Sequence, residues 1–355
     1  MPERTEIGFA VIGYGGMGGF HMRQAQEKLG AFLRPIGVFD IKEERQQAAR
    51  EKGLRAYGSR EELLRDPAVE LVTIATPNDV HKEIVIDALR HGKNVVCEKP
   101  VTMASADLED MIAVAEETGK LFTVHQNRRW DPDYLTAKAV LESNALGRVF
   151  NIESRVHGSH GVPWDWRARK ATGGGMLLDW GIHMLDQMLQ LMGTRRLLSL
   201  YAQLTYITCE EVDDGFRTLC RFEDDITFLV EITTSNFIQL PRWYILGENG
   251  SAILRDWDCA NGEIVKVSDW ETREWAPIQA GVGITKTMAP RAPETIQSYP
   301  LPAPTGDWAQ YYQNIYAVLR EGARPIVTHA EQRRLLRLVE AIIESAREDQ
   351  VVRVE

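Results

Sequence analysis

Short apolar runs alternate with stretches of helical periodicity over the first third of the chain. Residues 6–12, 35–39, 70–75, 94–97 and 121–125 read as buried strands. Helical patterns lie between and after them, at 18–29, 42–52, 60–65, 79–91 and 104–118. This rhythm predicts a parallel sheet covered by helices on both faces. Ligands of such sheets bind beyond the carboxyl ends of the strands, which directs attention to the loops at 13–18, 40–42, 76–81, 98–100 and 126–130.

The rhythm changes near Arg128. A helix over 133–144 leads through Gly147 to a strand at 149–156, and a loop rich in Gly, His and Trp fills 157–175. A long helical pattern over 176–192 follows. Strands then dominate, at 197–208, 215–223, 226–234, 242–247, 251–255 and 263–268, several joined by short polar turns such as Glu223-Asp224-Asp225. Short connections favour antiparallel neighbours. Residues 276–306 are rich in Pro and Gly and read as a long loop. Helices over 307–321 and 329–348 complete the pattern. The expected organisation is an α/β domain over 1–127 and an α+β domain over 128–355 with a large, mostly antiparallel open sheet. Its apolar positions, such as Phe228, Val230, Ile232, Tyr244 and Leu246, need cover on both faces. Helices 176–192 and 307–321 are expected to cover one face and a partner subunit the other, as a homodimer or homotetramer.

Bulk properties narrow the function classes. A chain of 355 residues can bury two substantial cores. Lys and Arg number 41 against 51 Asp and Glu, a net charge of −10, which makes nucleic acid and anionic membranes poor partners. No uninterrupted apolar stretch is long enough to span a bilayer, and no signal-peptide core follows the first residues. The four cysteines, Cys97, Cys209, Cys220 and Cys259, form no C-x-x-C pair. They suit reduced thiols, and with them a cytoplasmic location, better than a disulfide frame or a zinc site.

The first strand runs into Gly13-Tyr14-Gly15-Gly16-Met17-Gly18, a G-x-G-x-x-G turn at the head of a helix. Gly13 allows the tight turn, Gly15 lets a pyrophosphate approach the backbone, and Gly18 permits close packing of helix on strand. The helix N-terminus offers free N–H groups to the phosphates. The plain alternative is a glycine-rich turn with no ligand. Asp40 argues against it, because an acid ends the second strand 22 residues after Gly18, the spacing of a carboxylate that binds the adenine ribose hydroxyls. NAD(H) is the expected cofactor, and Lys42 and Arg45 leave NADP(H) open.

Two further groups can carry chemistry. In Glu98-Lys99-Pro100, at the end of a strand, Lys99 can hydrogen-bond a substrate hydroxyl and stabilise developing oxyanion charge; a surface lysine before a turn is the plain alternative. Asp179 and His183 are four apart on a helical pattern among Met, Leu, Trp and Ile. One shared helix face would let the aspartate fix the imidazole tautomer and raise its basicity. A solvated polar pair fits this apolar setting poorly, and a metal pair lacks further ligands at suitable spacing. No metal is expected.

With these motifs in order along the chain, the sequence resembles the Gfo/Idh/MocA family, the glucose–fructose oxidoreductase and inositol dehydrogenase group. The resemblance rests on the Gly13–Gly18 turn, Thr76-Pro77-Asn78 with His81, Glu98-Lys99-Pro100, Asn127-Arg128-Arg129-Trp130, and Gly173-Gly174-Gly175 with Asp179 and His183. It implies an N-terminal Rossmann domain in which Gly13, Tyr14, Gly15, Gly16, Met17, Gly18 and Asp40 line the dinucleotide. Thr76, Pro77, Asn78 and His81 would pass near the nicotinamide-side ribose and phosphates, and Glu98 and Lys99 would flank that ribose and the substrate. It also implies His183 as catalytic acid/base, Asp179 as its orienter or a substrate ligand, and Lys99 as the hydroxyl-polarising partner. Asn127 and Arg128 join the substrate site on the same ground. The loop 157–167 offers Trp164 and Trp166 as sugar-stacking rings, and Asp165 or His157 of the loop or Arg155 just before it as hydroxyl ligands; packing is the equal alternative for the tryptophans. The expected activity is NAD(H)-dependent hydride transfer at a secondary alcohol or ketone of a sugar or cyclic polyol. The alternative is the redox-assisted glycoside hydrolysis of some relatives.

Overall fold

Continuously apolar strands cannot face water on either side, and they build a parallel sheet. The computed structural model describes residues 6–272 and 276–354. Its first sheet holds β1 (Ile7–Ile12), β2 (Leu33–Phe39), β3 (Leu71–Ile74), β4 (Asn94–Cys97) and β5 (Phe122–Val124). Every residue of β1, β3 and β5 is buried. The strands run parallel in the order β2-β1-β3-β4-β5. Helices α1 (Gly16–Glu27), α2 (Glu43–Glu51), α3 (Arg60–Arg65), α4 (His81–Arg90) and α5 (Ser105–Thr118) connect them. The order reverses between β1 and β3, so a crevice opens above the carboxyl ends of those two strands.

The second domain starts with α6 (Pro132–Glu142) and β6 (Val149–His157), then α7 (Ile182–Met192). The strands β7 (Leu197–Thr205), β8 (Gly215–Phe222), β9 (Thr227–Thr233), β10 (Trp243–Gly247), β11 (Gly250–Leu254) and β12 (Gly262–Val267) follow. The chain continues through a small hairpin, β13 (Ile278–Ala280) and β14 (Gly283–Thr285), to β15 (Ile296–Tyr299). Helices α8 (Ala309–Glu321) and α9 (His329–Glu348) and a short β16 (Val352–Arg353) come last among the described residues. The large sheet runs β15-β12-β11-β10-β6-β9-β8-β7-β16. Among the described residues, only its β6–β9 pair is parallel.

Alternation sets the two faces of this sheet. In β8, Phe216, Thr218, Cys220 and Phe222 are buried while Arg217, Leu219 and Arg221 are exposed. Phe228, Val230, Ile232 and Trp243 join the same core, closed by Met184, Leu185 and Met188 of α7 and Leu335, Leu338 and Ile342 of α9. Leu219, Tyr244 and Leu246 fall on the opposite face, outside that core. A capping box of Thr328 and Glu331 starts α9.

Three sequence expectations are corrected here. Helix α8 forms as expected but does not cover the large sheet. Its Tyr311, Tyr312, Ile315 and Tyr316 lie in the core of the first domain, where Tyr312 Oη meets Thr73 Oγ1 at 2.9 Å and His21 Nδ1 at 2.8 Å. The segment 276–306 is not one loop, because β15 pairs with β12 as an edge strand. The helical pattern over 176–192 begins with a π-helical turn, Leu177–Gly181. Asp213 accepts the Leu177 N–H at 2.8 Å and so holds the start of that turn.

Polar groups fasten the junction between the domains. Arg129 makes a bidentate contact with Asp186 of α7 at 2.7 and 2.6 Å and reaches Glu331 of α9 at 3.2 Å. All of Arg129 and Asp186 is buried or nearly so, and a buried pair of this kind is tolerable only with such complete hydrogen bonding. Across the crevice, Asn78 Nδ2 donates to the Gly173 carbonyl at 2.8 Å.

Candidate active site

The glycine turn is built for an anion. Gly13 has φ +91, and a Cβ there would lie 2.6 Å from the Ala75 carbonyl oxygen. A Cβ on Gly18 would meet the Gly13 carbonyl oxygen at 1.8 Å, so only hydrogen lets α1 pack this tightly on β1. Gly15 and Gly16, in contrast, have nothing within 4 Å of an added Cβ. The α1 N-terminus carries no side-chain cap and no acid in its first turn. Its free N–H groups therefore face an open cradle. Thr76 Oγ1, in the loop after β3, is buried without a hydrogen-bond partner. These residues fit a dinucleotide diphosphate with a hydroxyl partner beside it. Asp40 accepts the Tyr14 N–H at 2.7 Å and the Lys42 N–H at 2.9 Å, which ties the turn to the end of β2.

Lys99 leaves β4 on the same edge and crosses to the second domain. Its Nζ donates to Asp179 Oδ1 and to the Asp179 carbonyl oxygen, both at 2.9 Å. Arg167 Nε reaches the other Asp179 oxygen at 3.3 Å. Burial pushes the Asp179 carboxyl up, but the Lys99 and Arg167 charges outweigh it and hold it below the ordinary range. An ammonium has three N–H donors, so one remains for a substrate oxygen.

His183 is buried, and its Nδ1 has no partner. Burial, then the positive charges of Lys99 and Arg128, hold its pKa well below the ordinary histidine value. The imidazole is neutral at pH 7 and ready to accept a proton. The four-residue spacing predicts that Asp179 orients it, but the carboxylate bonds Lys99 and Arg167 instead, because the π-helical turn breaks the 3.6-residue phase.

Models of two domains match this chain: an oxidoreductase family with an NAD-binding Rossmann fold over residues 7–126, and a GFO/IDH/MocA C-terminal domain over residues 134–253. The chain belongs to the Gfo/Idh/MocA oxidoreductase family. It is similar to a scyllo-inositol 2-dehydrogenase (NADP(+)) of Bacillus subtilis, 31% identical over 300 residues, 83% of this chain and 82% of that protein. A scyllo-inositol 2-dehydrogenase (NAD(+)) of the same organism is 28% identical over 190 residues, 53% of this chain and 54% of its own. A solved NAD-binding protein of Listeria innocua has a TM-score of 0.94 at 48% identity, covering 99% of this chain and 100% of its own. The first domain of this family member is thus an NAD-binding domain, and no helix among the described residues is long and apolar enough to cross a membrane.

Several residues that the family resemblance assigns to cofactor or substrate are otherwise engaged. Glu98 points inward, where His21 Nε2 and His125 Nδ1 donate to its Oε1 at 2.7 and 2.9 Å and the Lys99 N–H reaches Oε2 at 3.2 Å. Burial pushes Glu98 up, but the two histidines outweigh it and keep the carboxyl well below its usual range. His81 is fully buried, each ring nitrogen 3.0 Å from a carbonyl, those of Pro100 and Thr76. Asn78 spends its amide on Gly173, and Pro77 leads into the 3₁₀ turn Asn78–Val80. Met17 is 37% exposed beside the cradle. Asn127 opens the 3₁₀ turn Asn127–Trp130 after β5. Arg155 lies on the outer sheet face against Glu153 and Glu231, away from Lys99 and His183, because the strand alternates there. His157 meets Glu231 on that same face. Trp164 is 90% exposed, and it is Arg167 of the same loop that reaches the site.

Other groups were not evident in the sequence. His21 and His125 stand behind Lys99, and Arg128 lies against Trp180 with Trp257 next to it, its guanidinium carbon 4.2 and 5.8 Å from the two rings. The three ligand-type atoms of His21, Glu98 and His125 lie within 4.8 Å of one another, and their spacings are those of hydrogen bonds.

Gly18→Ala is expected to weaken NAD binding at least tenfold and to lower stability by about 1–3 kcal/mol, through overpacking against Gly13. Gly19, whose added Cβ meets nothing within 4 Å, supplies the control: Gly19→Ala should leave stability equal or higher. Fluorescence titration with NADH and urea unfolding decide the pair. Equal behaviour of the two variants would contradict the close-packing account.

Proposed function

We propose that this protein oxidises a secondary hydroxyl of a neutral cyclic polyol or sugar, or runs the reverse reduction, with NAD preferred over NADP. The observation that carries the reading is the neutral, buried imidazole of His183 beside the ammonium of Lys99 at the carboxyl edge of the parallel sheet. Each cation around it has its own carboxylate: Lys99 with Asp179, Arg167 with Asp165 and Asp179, Arg128 with Asp131, Arg242 with Asp133. A site with paired charges suits a neutral polyhydroxyl substrate better than an anion. The names of the inositol dehydrogenases above support the same class. Those names lend no support to the hydrolytic alternative.

When bound, NAD supplies the hydride acceptor. His183 takes the hydroxyl proton as general base. Lys99 donates its remaining N–H to the same oxygen and stabilises the charge that develops there. Asp179 holds Lys99 in place, and Glu98 fixes the Lys99 backbone from behind. The imidazolium that forms is destabilised by Lys99 and Arg128, which favours its release of the proton. For the cofactor, Asp40 sets a carboxylate where a 2′-phosphate would be repelled, while its second lone pairs can still accept from ribose hydroxyls. The outer face of the large sheet, with Leu219, Tyr244 and Leu246, is the surface for a second copy of the chain.

A panel of inositols and aldoses, followed by NADH absorbance, tests the activity. His183→Ala should lower kcat by ~10²–10⁴ with NAD affinity nearly intact. Lys99→Ala should lose rate and weaken substrate binding together. Near wild-type turnover in His183→Ala would sink this assignment of the base.

Steady-state kinetics with both cofactors should favour NAD, and Asp40→Ser should narrow the gap while loosening the glycine turn. A kcat/KM with NADP equal to or above that with NAD would refute the preference. Light scattering of a dilute solution should give a dimer or tetramer, and a stable monomer would refute the shared face.

A further inference from the structure

Beside the reacting groups lies an open cavity of about 360 Å³, lined by Arg128, Asp131, Pro132, Asp133, Trp180 and Trp257. That volume is within the range of small-molecule sites. Lys99, Asp179 and His183 are not among its walls. Trp180 links its wall to the reacting groups, its ring 6.2 Å from that of His183 and 5.6 Å from that of Trp257. Three loops meet here: the turn after β5, the π-helical turn before α7, and the β11–β12 connection that carries Trp257.

We propose that this cavity is a subsite for a second sugar ring, so that the preferred substrate is a glycoside or disaccharide whose other ring meets His183. The inference rests on the polyol reading above and extends it. The wall offers a donor and an acceptor side by side, since Arg128 Nη1 donates to Asp131 Oδ2 at 2.7 Å and both side chains remain partly open, at 30% and 23%. A ring hydroxyl can accept from the one and donate to the other. Arg242 lies over the Trp257 ring at 4.7 Å, yet Trp257 remains 42% exposed, and that open part adds an apolar surface on which the C–H side of a ring can lie. The Arg128 guanidinium rests on the Trp180 ring at 4.2 Å and is bonded to Asp131, so it is in position before any ligand arrives, which lowers the cost of binding. An anionic ligand is disfavoured, because Arg128 is paired with Asp131, and Arg242 Nε stands 2.9 Å from Asp133. Trp257 is therefore a specificity-determining residue that acts on the part of the substrate away from the reacting carbon.

Initial rates of NADH formation with glucose, maltose and cellobiose on wild type, Trp257→Ala and Trp257→Phe test this. Wild type should show a higher kcat/KM for a disaccharide than for glucose, chiefly through KM. Trp257→Ala should reduce that ratio about tenfold, and Trp257→Phe, which keeps a ring face, should retain most of it. No disaccharide advantage in wild type, or equal losses on glucose and disaccharides in Trp257→Ala, would overturn the subsite. If wild type oxidises none of the three sugars, the inositol and aldose panel decides the redox reading, and calorimetric titration of maltose and cellobiose into NAD-loaded protein decides the subsite separately. Binding that weakens in Trp257→Ala supports it; no binding, or binding indifferent to that change, overturns it.

Discussion

The contact between Lys99 and Asp179 is the joint on which the site depends. Lys99 belongs to the parallel-sheet domain and Asp179 to the turn that opens α7, so one ion pair sets the two halves of the chemistry against each other. Exposed ion pairs contribute little, but here the side chains are only 15% and 16% exposed and the ammonium also bonds the Asp179 carbonyl oxygen. The other end of Lys99 is fixed as well, because Glu98 takes its backbone N–H and is itself held by His21 and His125. With Asp179 committed to Lys99, His183 Nδ1 is left without a partner, and the Glu98 charge raises its basicity by less than burial lowers it. Burial and two nearby cations then leave the imidazole neutral.

This arrangement resolves an apparent conflict in the chemistry. A general base gains from a partner that stabilises its protonated form, yet His183 stands near Lys99 and Arg128. The consequence is a base that stays free of protons at neutral pH and gives up quickly the one it takes. Lys99 offsets the weaker basicity by stabilising the alkoxide directly. The pairing of every nearby cation with a carboxylate keeps the surroundings neutral, which also directs recognition toward hydroxyl groups.

Much of the fold was legible because its signals are local. The three motif glycines, Gly13, Gly15 and Gly18, act within one strand–helix connection, and the apolar runs of β1 and β3 declare a buried sheet without reference to anything distant. The site was harder to read. His21 meets Glu98 across 77 positions and His125 across 27, and no spacing rule joins them. The pairing of Asp179 with His183 assumed 3.6 residues per turn, whereas the π-helical turn is held by Asp213, 36 positions from Leu177. The periodicity of α8 showed a helix but not which core its tyrosines enter. Arg155 and Trp164 were near the correct residues in sequence, and strand alternation and loop exposure removed them. Trp180 lay inside a recognised motif, and Trp257 carried no signal at all until the β11–β12 connection brought it to Arg128.

The central claim is that His183 is held neutral as the proton acceptor by burial and by Lys99. Its imidazole titration, followed by NMR on histidine-labelled protein and assigned by comparison with His183→Ala, tests this without any substrate. The expected result is a midpoint well below 6.5, the ordinary histidine value, that moves upward in Lys99→Met. A midpoint at or above 6.5 in the wild-type protein, unmoved by the loss of Lys99, would contradict the account.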